Sequence, residues 1–263
     1  MNTALRLVLL AITWALPSLA PMTASAQEVL RVGIYPNNRP WEFHDSTGQL
    51  VGFEIDTVEA IGKRLKVKLN FLPMPFHELF TALGEGRIDI AASTVTITGE
   101  RAGRFDFTQP YYRTSQGIVA IKGSDIRGLS DLAGKKVTAE AGSTNEQWLA
   151  ANRDRYGFGP TVAAEGIDEA LDLLQSGQVE AYFGDLPALL YQLLNRTDLA
   201  VIARLPTEDA YALLLNKGSP LTPRVDEALS ALKKDGTLAK IHGKWFGSQP
   251  EPGSPVINVL PRP

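Results

Sequence analysis

Short apolar runs alternate with amphipathic helical patterns along most of this chain, and that alternation restricts it to the α/β class. Val29-Leu30-Arg31-Val32-Gly33-Ile34 reads as a first strand. From Glu54 to Leu65 the apolar Ile55, Val58, Ile61 and Leu65 recur at helical spacing, with Lys63 and Arg64 on the other face. Val67 to Leu72 predicts a second strand, Phe76 to Leu83 a short helix, and Ile88 to Ala92 a third strand that runs straight into a polar loop. The middle repeats the pattern, with strands at 117–121, 136–139 and 179–183 and helices at 145–156, 167–174 and 186–194. A strand at 211–215 follows, then helices at 225–233 and 237–245. Pro250, Pro252, Pro255, Pro261 and Pro263 crowd the end. Proline at that density rules out helix or sheet, so residues 248–263 are expected to form a loose extension.

Residues 1–26 stand apart from this pattern. Arg6 is their one charge, Leu7 to Leu16 is almost wholly apolar, and Ala24-Ser25-Ala26 supplies small residues for cleavage before Gln27. That is the form of a secretory signal peptide, its apolar run being nearer 10 than the ~20 residues of a membrane span. The formal charge of −3 comes without a basic run, which argues against a nucleic-acid partner. Cysteine is absent altogether, so disulfides, thiol catalysis and cysteine-ligated metal are excluded. A soluble periplasmic protein is the expectation.

Ligands of open α/β sheets sit at the carboxyl ends of strands. The third strand ends there in Ser93-Thr94-Val95-Thr96-Ile97-Thr98-Gly99-Glu100-Arg101, a cluster of hydroxyls, loop amides and one guanidinium. Arginine grips a carboxylate through two parallel hydrogen bonds. Thr98 is placed to cap a short helix, and a capped helix with a solvated Arg101 explains the same residues. Ala141-Gly142-Ser143-Thr144-Asn145 is a second donor loop, equally readable as an ordinary helix cap. Asp185 ends a strand before Leu186-Pro187, where it either caps a helix or pairs with a ligand ammonium. Tyr35, Trp41, Phe43 and Phe76 are candidates for a pocket wall, with core packing the default for each. His44, His77 and His242 lack metal-ligand spacing. Of the carboxylates Glu42, Glu54, Asp56, Glu100 and Glu140, most fall on faces expected to be solvated, and Glu140 alone points to a site.

Taken in order, several motifs resemble the family 3 solute-binding proteins of bacterial importers for polar amino acids. They are Leu30 to Gly33 with Pro40-Trp41-Glu42-Phe43, Gly48 to Asp56, Thr96 to Arg101, Phe105 to Tyr112, Leu129 to Val137, Ala141 to Thr144, and Lys244-Trp245-Phe246-Gly247. The resemblance implies two α/β lobes joined by two crossing strands, with a ligand cleft between. Lobe 1 would combine residues 28–115 with 213–247, and lobe 2 would span 116–212. Arg101, Thr96 and Thr144, with Ser143 beside it, would hold a ligand carboxylate. Asp185 would hold the ammonium, with Ser93 or Thr94 sharing the task, and Phe76 would form a wall. Two positions depart from the family pattern. Asn38 stands where an aromatic residue is common, and a carboxylate at Glu140 would favour a cationic side chain unless it faces away.

The function implied is a periplasmic, monomeric receptor for an amino acid or close analogue, delivering to an inner-membrane ABC permease. It would need no cofactor. The competing reading is an enzyme on the same scaffold, like the cyclohexadienyl dehydratases, with Glu140 or Asp185 as acid or base.

Overall fold

The computed structural model describes residues 27–263, so the signal peptide expected at 1–26 lies outside the described residues. Val29–Ile34 forms the expected strand, and the parallel strand Lys68–Pro73 pairs with it along its full length. The helix Phe53–Leu65 joins them, burying Phe53, Ile55, Val58 and Ile61 while Lys63 and Arg64 stay outside. Ile90–Ala91 pairs on the other side of Val29–Ile34. Leu214–Asn216 and Phe105–Phe107 then extend the sheet in antiparallel sense.

A second five-stranded sheet runs in the order Thr161–Ala164, Val137–Glu140, Ala181–Asp185, Gln116–Ile121, Leu199–Leu205. Its first three strands are parallel and the last two antiparallel to their neighbours. Helices Thr144–Tyr156 and Ile167–Gln175 link the parallel strands, as βαβ units require. Tyr112–Arg113 pairs antiparallel with Ala210–Tyr211, and this ribbon carries the chain from the first sheet to the second and back.

Trp41 packs at the ribbon. It is wholly buried, with edge-on contacts to Tyr112 at 4.7 Å, Tyr211 at 5.4 Å and Phe53 at 5.5 Å between ring centres. Such pairs contribute roughly 0.5–1.5 kcal/mol each beyond burial. Phe43 belongs to the same packed region, against Trp245 at 5.7 Å.

The proline-rich end corrects an expectation. Residues 248–263 form no helix or strand, yet they are not loose: Val256 is fully buried and Ile257 packs on the core. Lys233 Nζ donates to Asn258 O at 3.1 Å, to Gln109 Oε1 at 2.7 Å and to Pro110 O at 2.7 Å. Three acceptors for one ammonium tie the tail to the body of the protein. Proline forbids the ladder hydrogen bonds of regular structure but not apolar burial.

Candidate ligand-binding site

A cavity lies where the carboxyl ends of the two sheets face each other. The strand Ile90–Ala91 delivers Thr94, Thr96 and Arg101 to one side of it. Thr98 caps the helix Gly99–Arg104, its hydroxyl accepting the Arg101 N–H at 3.2 Å, and this fixes where the Arg101 side chain begins. Arg101 is only 6% exposed. Nη1 donates to Thr96 O at 2.9 Å, and Nη2 reaches across to Gly142 O, in the other half of the molecule, at 3.0 Å. Its carbon stands 4.8 Å from the Phe80 ring centre and 5.7 Å from that of Phe76. Burial lowers its pKa to about 10, with Asp185 opposing the drop, so it remains a cation at neutral pH. The guanidinium has five N–H donors and spends two on the protein.

The facing side comes from the second sheet. Glu140 and Asp185 end neighbouring strands, and both line the cavity. Ser143 caps Thr144–Tyr156 by accepting the Glu146 N–H at 3.1 Å, while Glu146 returns to the Gly142 N–H at 2.8 Å. Asp185 occupies a cap position but does not cap. Its carboxylate instead accepts from Asn145 Nδ2 at 3.1 Å and from the Tyr211 hydroxyl. Burial raises its pKa, with those two hydrogen bonds pulling the other way. Glu140 is pushed up to about 8, by burial first and then by Asp185 and Glu165. Its Oε1 is buried without a hydrogen-bond partner in the protein.

Behind the Thr94 wall lies a buried acid pair. Glu42 and Glu54, expected on solvated faces, are both fully buried. Glu54 accepts the Tyr111 hydroxyl at 2.6 Å and the Thr94 N–H at 2.8 Å. That second bond holds Thr94 at φ 47, a left-handed conformation unfavourable for a β-branched residue. Glu42 Oε1 accepts from Ser93 Oγ at 2.6 Å and from Asn38 Nδ2 at 3.1 Å, and the same Asn38 amide donates to Thr94 Oγ1 at 3.0 Å. Glu42 Oε2 is buried without a hydrogen-bond partner, beside the Glu54 carboxyl. Burial and the charge of Glu54 raise the pKa of Glu42 well above 4.5.

A folded-state pKa raised in this way means the unfolded chain sheds the proton first as pH climbs. Wild-type stability therefore falls as pH rises from 4.5 towards the native pKa. Glutamine at position 42 keeps the acceptor for Ser93 and Asn38 and has no proton to shed. Glu42→Gln is thus expected to gain on wild type as pH rises from 4.5 to 8 in urea unfolding. Glu54→Gln loses buried acceptor capacity and should cost about 1–3 kcal/mol. Equal pH slopes for wild type and Glu42→Gln would refute a proton held on buried Glu42.

Eight of the nine residues put forward from sequence line one cavity: Phe76, Thr94, Thr96, Arg101, Glu140, Ser143, Thr144 and Asp185. Ser93 does not. Its hydroxyl turns inward to Glu42, because the left-handed turn at Thr94 sends the two neighbouring side chains opposite ways. Tyr35 is absent from the lining as well, its hydroxyl lying against Gly166. Sequence reasoning passed over Asn145, Tyr182 and Tyr211 as cavity residues. Only the position of Asn145 in a loop already singled out hinted at any of them. No group of three or more His, Asp or Glu suited to a metal ion exists among the described residues.

Two α/β halves that clasp a buried, charge-lined cavity between their strand ends make a two-lobed solute-binding protein. The chain belongs to the bacterial extracellular solute-binding proteins, family 3, whose sequence profile matches residues 30–248. It is 32% identical over 220 residues to the amino-acid-binding protein AabA of Dichelobacter nodosus, covering 81% of this chain and 85% of that one. Against the L-cystine-binding protein TcyJ of Escherichia coli (strain K12) it is 32% identical over 231 residues, 83% of each chain. Among solved structures, an ancestral arginine-binding protein bound to arginine superposes with a TM-score of 0.80 at 37% identity, covering 84% of this chain and 99% of that one. These relatives are named as binding proteins, not as enzymes. No helix among the described residues is long and apolar enough to cross a membrane.

Proposed function

We propose that this chain is the periplasmic receptor of an ABC importer, that it closes on an α-amino acid, and that it hands the ligand unchanged to an inner-membrane permease. Lobe 1 is taken as residues 28–115 with 213–247, and lobe 2 as residues 116–212. One observation carries the reading: a buried guanidinium from lobe 1 and a half-buried carboxylate from lobe 2 line the same cavity. An α-amino acid presents the complementary pair of charges, and burying either charge unmatched is costly. Arg101 takes the ligand carboxylate, helped by Thr96, Ser143 and Thr144. Asp185 takes the ammonium, with Thr94 beside it. The receptor works as a monomer and turns nothing over.

A thermal-shift screen of the purified protein against the common amino acids tests this. At a ligand concentration a hundred times Kd the melting temperature should rise by about 5–10 °C. No shift with any amino acid sinks the proposal. Aromatic product from arogenate or prephenate would sink the receptor reading in favour of an enzyme.

A further inference from the structure

Once a zwitterionic amino-acid backbone has been matched to Arg101 and Asp185, the cavity still holds a surplus of one sign. Among the described residues lining it, the ionisable acids and bases are Arg101 on one side of the ledger and Glu140 with Asp185 on the other. Asp185 already accepts from Asn145 and Tyr211. Glu140 has no such support: Oε1 is buried without a partner, and the Oδ1 of Asn145, also lining the cavity, is likewise buried without one. Both unmet atoms are acceptors, and both belong to the second sheet's side. Ser143 does not help Glu140, because its hydroxyl and N–H go to the Glu140 main-chain carbonyl, at 2.6 and 3.2 Å. Tyr182 lines the cavity near Glu140, and Tyr35 stands close by. Their ring faces suit a cation better than a further anion.

We infer that Glu140 is the specificity residue for the ligand's side chain, and that the ligand is a dibasic amino acid ending in a guanidinium or ammonium. This rests on the amino-acid reading above. A guanidinium or ammonium brings several donors and one positive charge, which satisfies the orphaned acceptor and gives the Glu140 carboxyl a charge to ionise against. It also supplies a counter-ion to a carboxyl that burial, then the charges of Asp185 and Glu165, push up to about 8. A neutral side chain would leave either a buried carboxylate unpaired or a proton that must be taken up to hide it.

Arginine and citrulline separate these cases, since they differ chiefly in that one side-chain terminus is charged and the other is not. Titration calorimetry should find arginine or lysine bound at least about 30-fold more tightly than citrulline or glutamine by wild type, the ratio that ~2 kcal/mol supplies. Glu140→Gln should weaken arginine by about the same factor and leave citrulline within about threefold. Equal wild-type affinity for arginine and citrulline overturns the inference, as does a Glu140→Gln variant that weakens both alike. If that variant fails to fold, the wild-type comparison decides alone. A neutral amino acid as the tightest ligand sinks this inference only, whereas silence across all amino acids sinks the receptor reading with it.

Discussion

Arg101→Ala is expected to abolish ligand-induced thermal stabilisation while leaving a folded protein. Truncating one member of a buried, hydrogen-bonded charge pair costs about 2–5 kcal/mol of binding, or roughly 30- to 5,000-fold in Kd. Folding should change far less. In the protein, the guanidinium is held by two main-chain carbonyls and two aromatic rings, and its burial opposes its own charge. Losing it removes that desolvation cost as well as those contacts, so the ligand-free protein should unfold within about 1 kcal/mol of wild type. Arg101→Lys retains the charge without the paired donors, and should fall between wild type and alanine. Calorimetry with the best ligand from the amino-acid screen measures both variants. If Arg101→Ala keeps its ligand affinity within about threefold, the carboxylate grip has been placed on the wrong residue.

In the proposed site, the same side chain would make closure and binding one event. Arg101 Nη2 bonds Gly142 O across the cleft, and His77 stands 3.7 Å from Glu165 on the opposite side. The Tyr35 hydroxyl sits where a Cβ on Gly166 would be. These contacts make a closed surface possible without deciding how populated it is. A ligand shifts that population only by interactions it gains in the closed state alone. In the proposed receptor, charges on opposite lobes would meet this condition, because neither Arg101 nor Asp185 alone could hold both ends of an amino acid while the cleft is open.

Much of this was legible in the chain itself, for reasons that differ by residue. Gln116–Ile121 could be read because a strand buried on both faces is a nearly unbroken apolar run, and Val29–Ile34 because Arg31 is its one charged interruption. Arg101 and Asp185 could be found because both follow the carboxyl ends of such strands. Thr161–Ala164 and Leu199–Leu205 went unread: they are the outer strands of their sheet and only half-buried, so no unbroken apolar pattern marks them. The acid pair was misplaced because Glu42 and Glu54 look like surface carboxylates until the loop folds over the helix and shuts water out. Tyr211 joins the site only because the second crossing strand lies beside Asp185, a relation between residues 26 positions apart that no local pattern encodes. Val256 was hidden by the prolines around it.

Gly52→Ala should be the most damaging single-methyl change in the chain. Gly52 sits at φ 146, ψ 169, a region essentially closed to residues bearing a Cβ, at a cost of about 1–3 kcal/mol. A Cβ built there would lie 1.9 Å from the Trp41 carbonyl oxygen and 2.9 Å from the Glu42 nitrogen. Both are main-chain atoms, so no side-chain rotation relieves the clash. Phe53 N–H donates to Pro40 O and Glu54 N–H to Trp41 O, each at 3.0 Å, and those bonds clamp the 38–43 loop onto the helix Phe53–Leu65. Forcing the loop away would unseat Trp41 from its aromatic cluster, pull Glu42 from Glu54, and loosen Asn38 and Thr94 at the cavity wall. Strain and lost packing together should cost about 4 kcal/mol or more. Urea unfolding would show this as a lower midpoint, and ligand affinity should fall in whatever fraction still folds. An alanine variant within about 1 kcal/mol of wild type would mean that the loop and helix are not clamped through Gly52, and the layered support proposed for the Thr94 wall would fall with it.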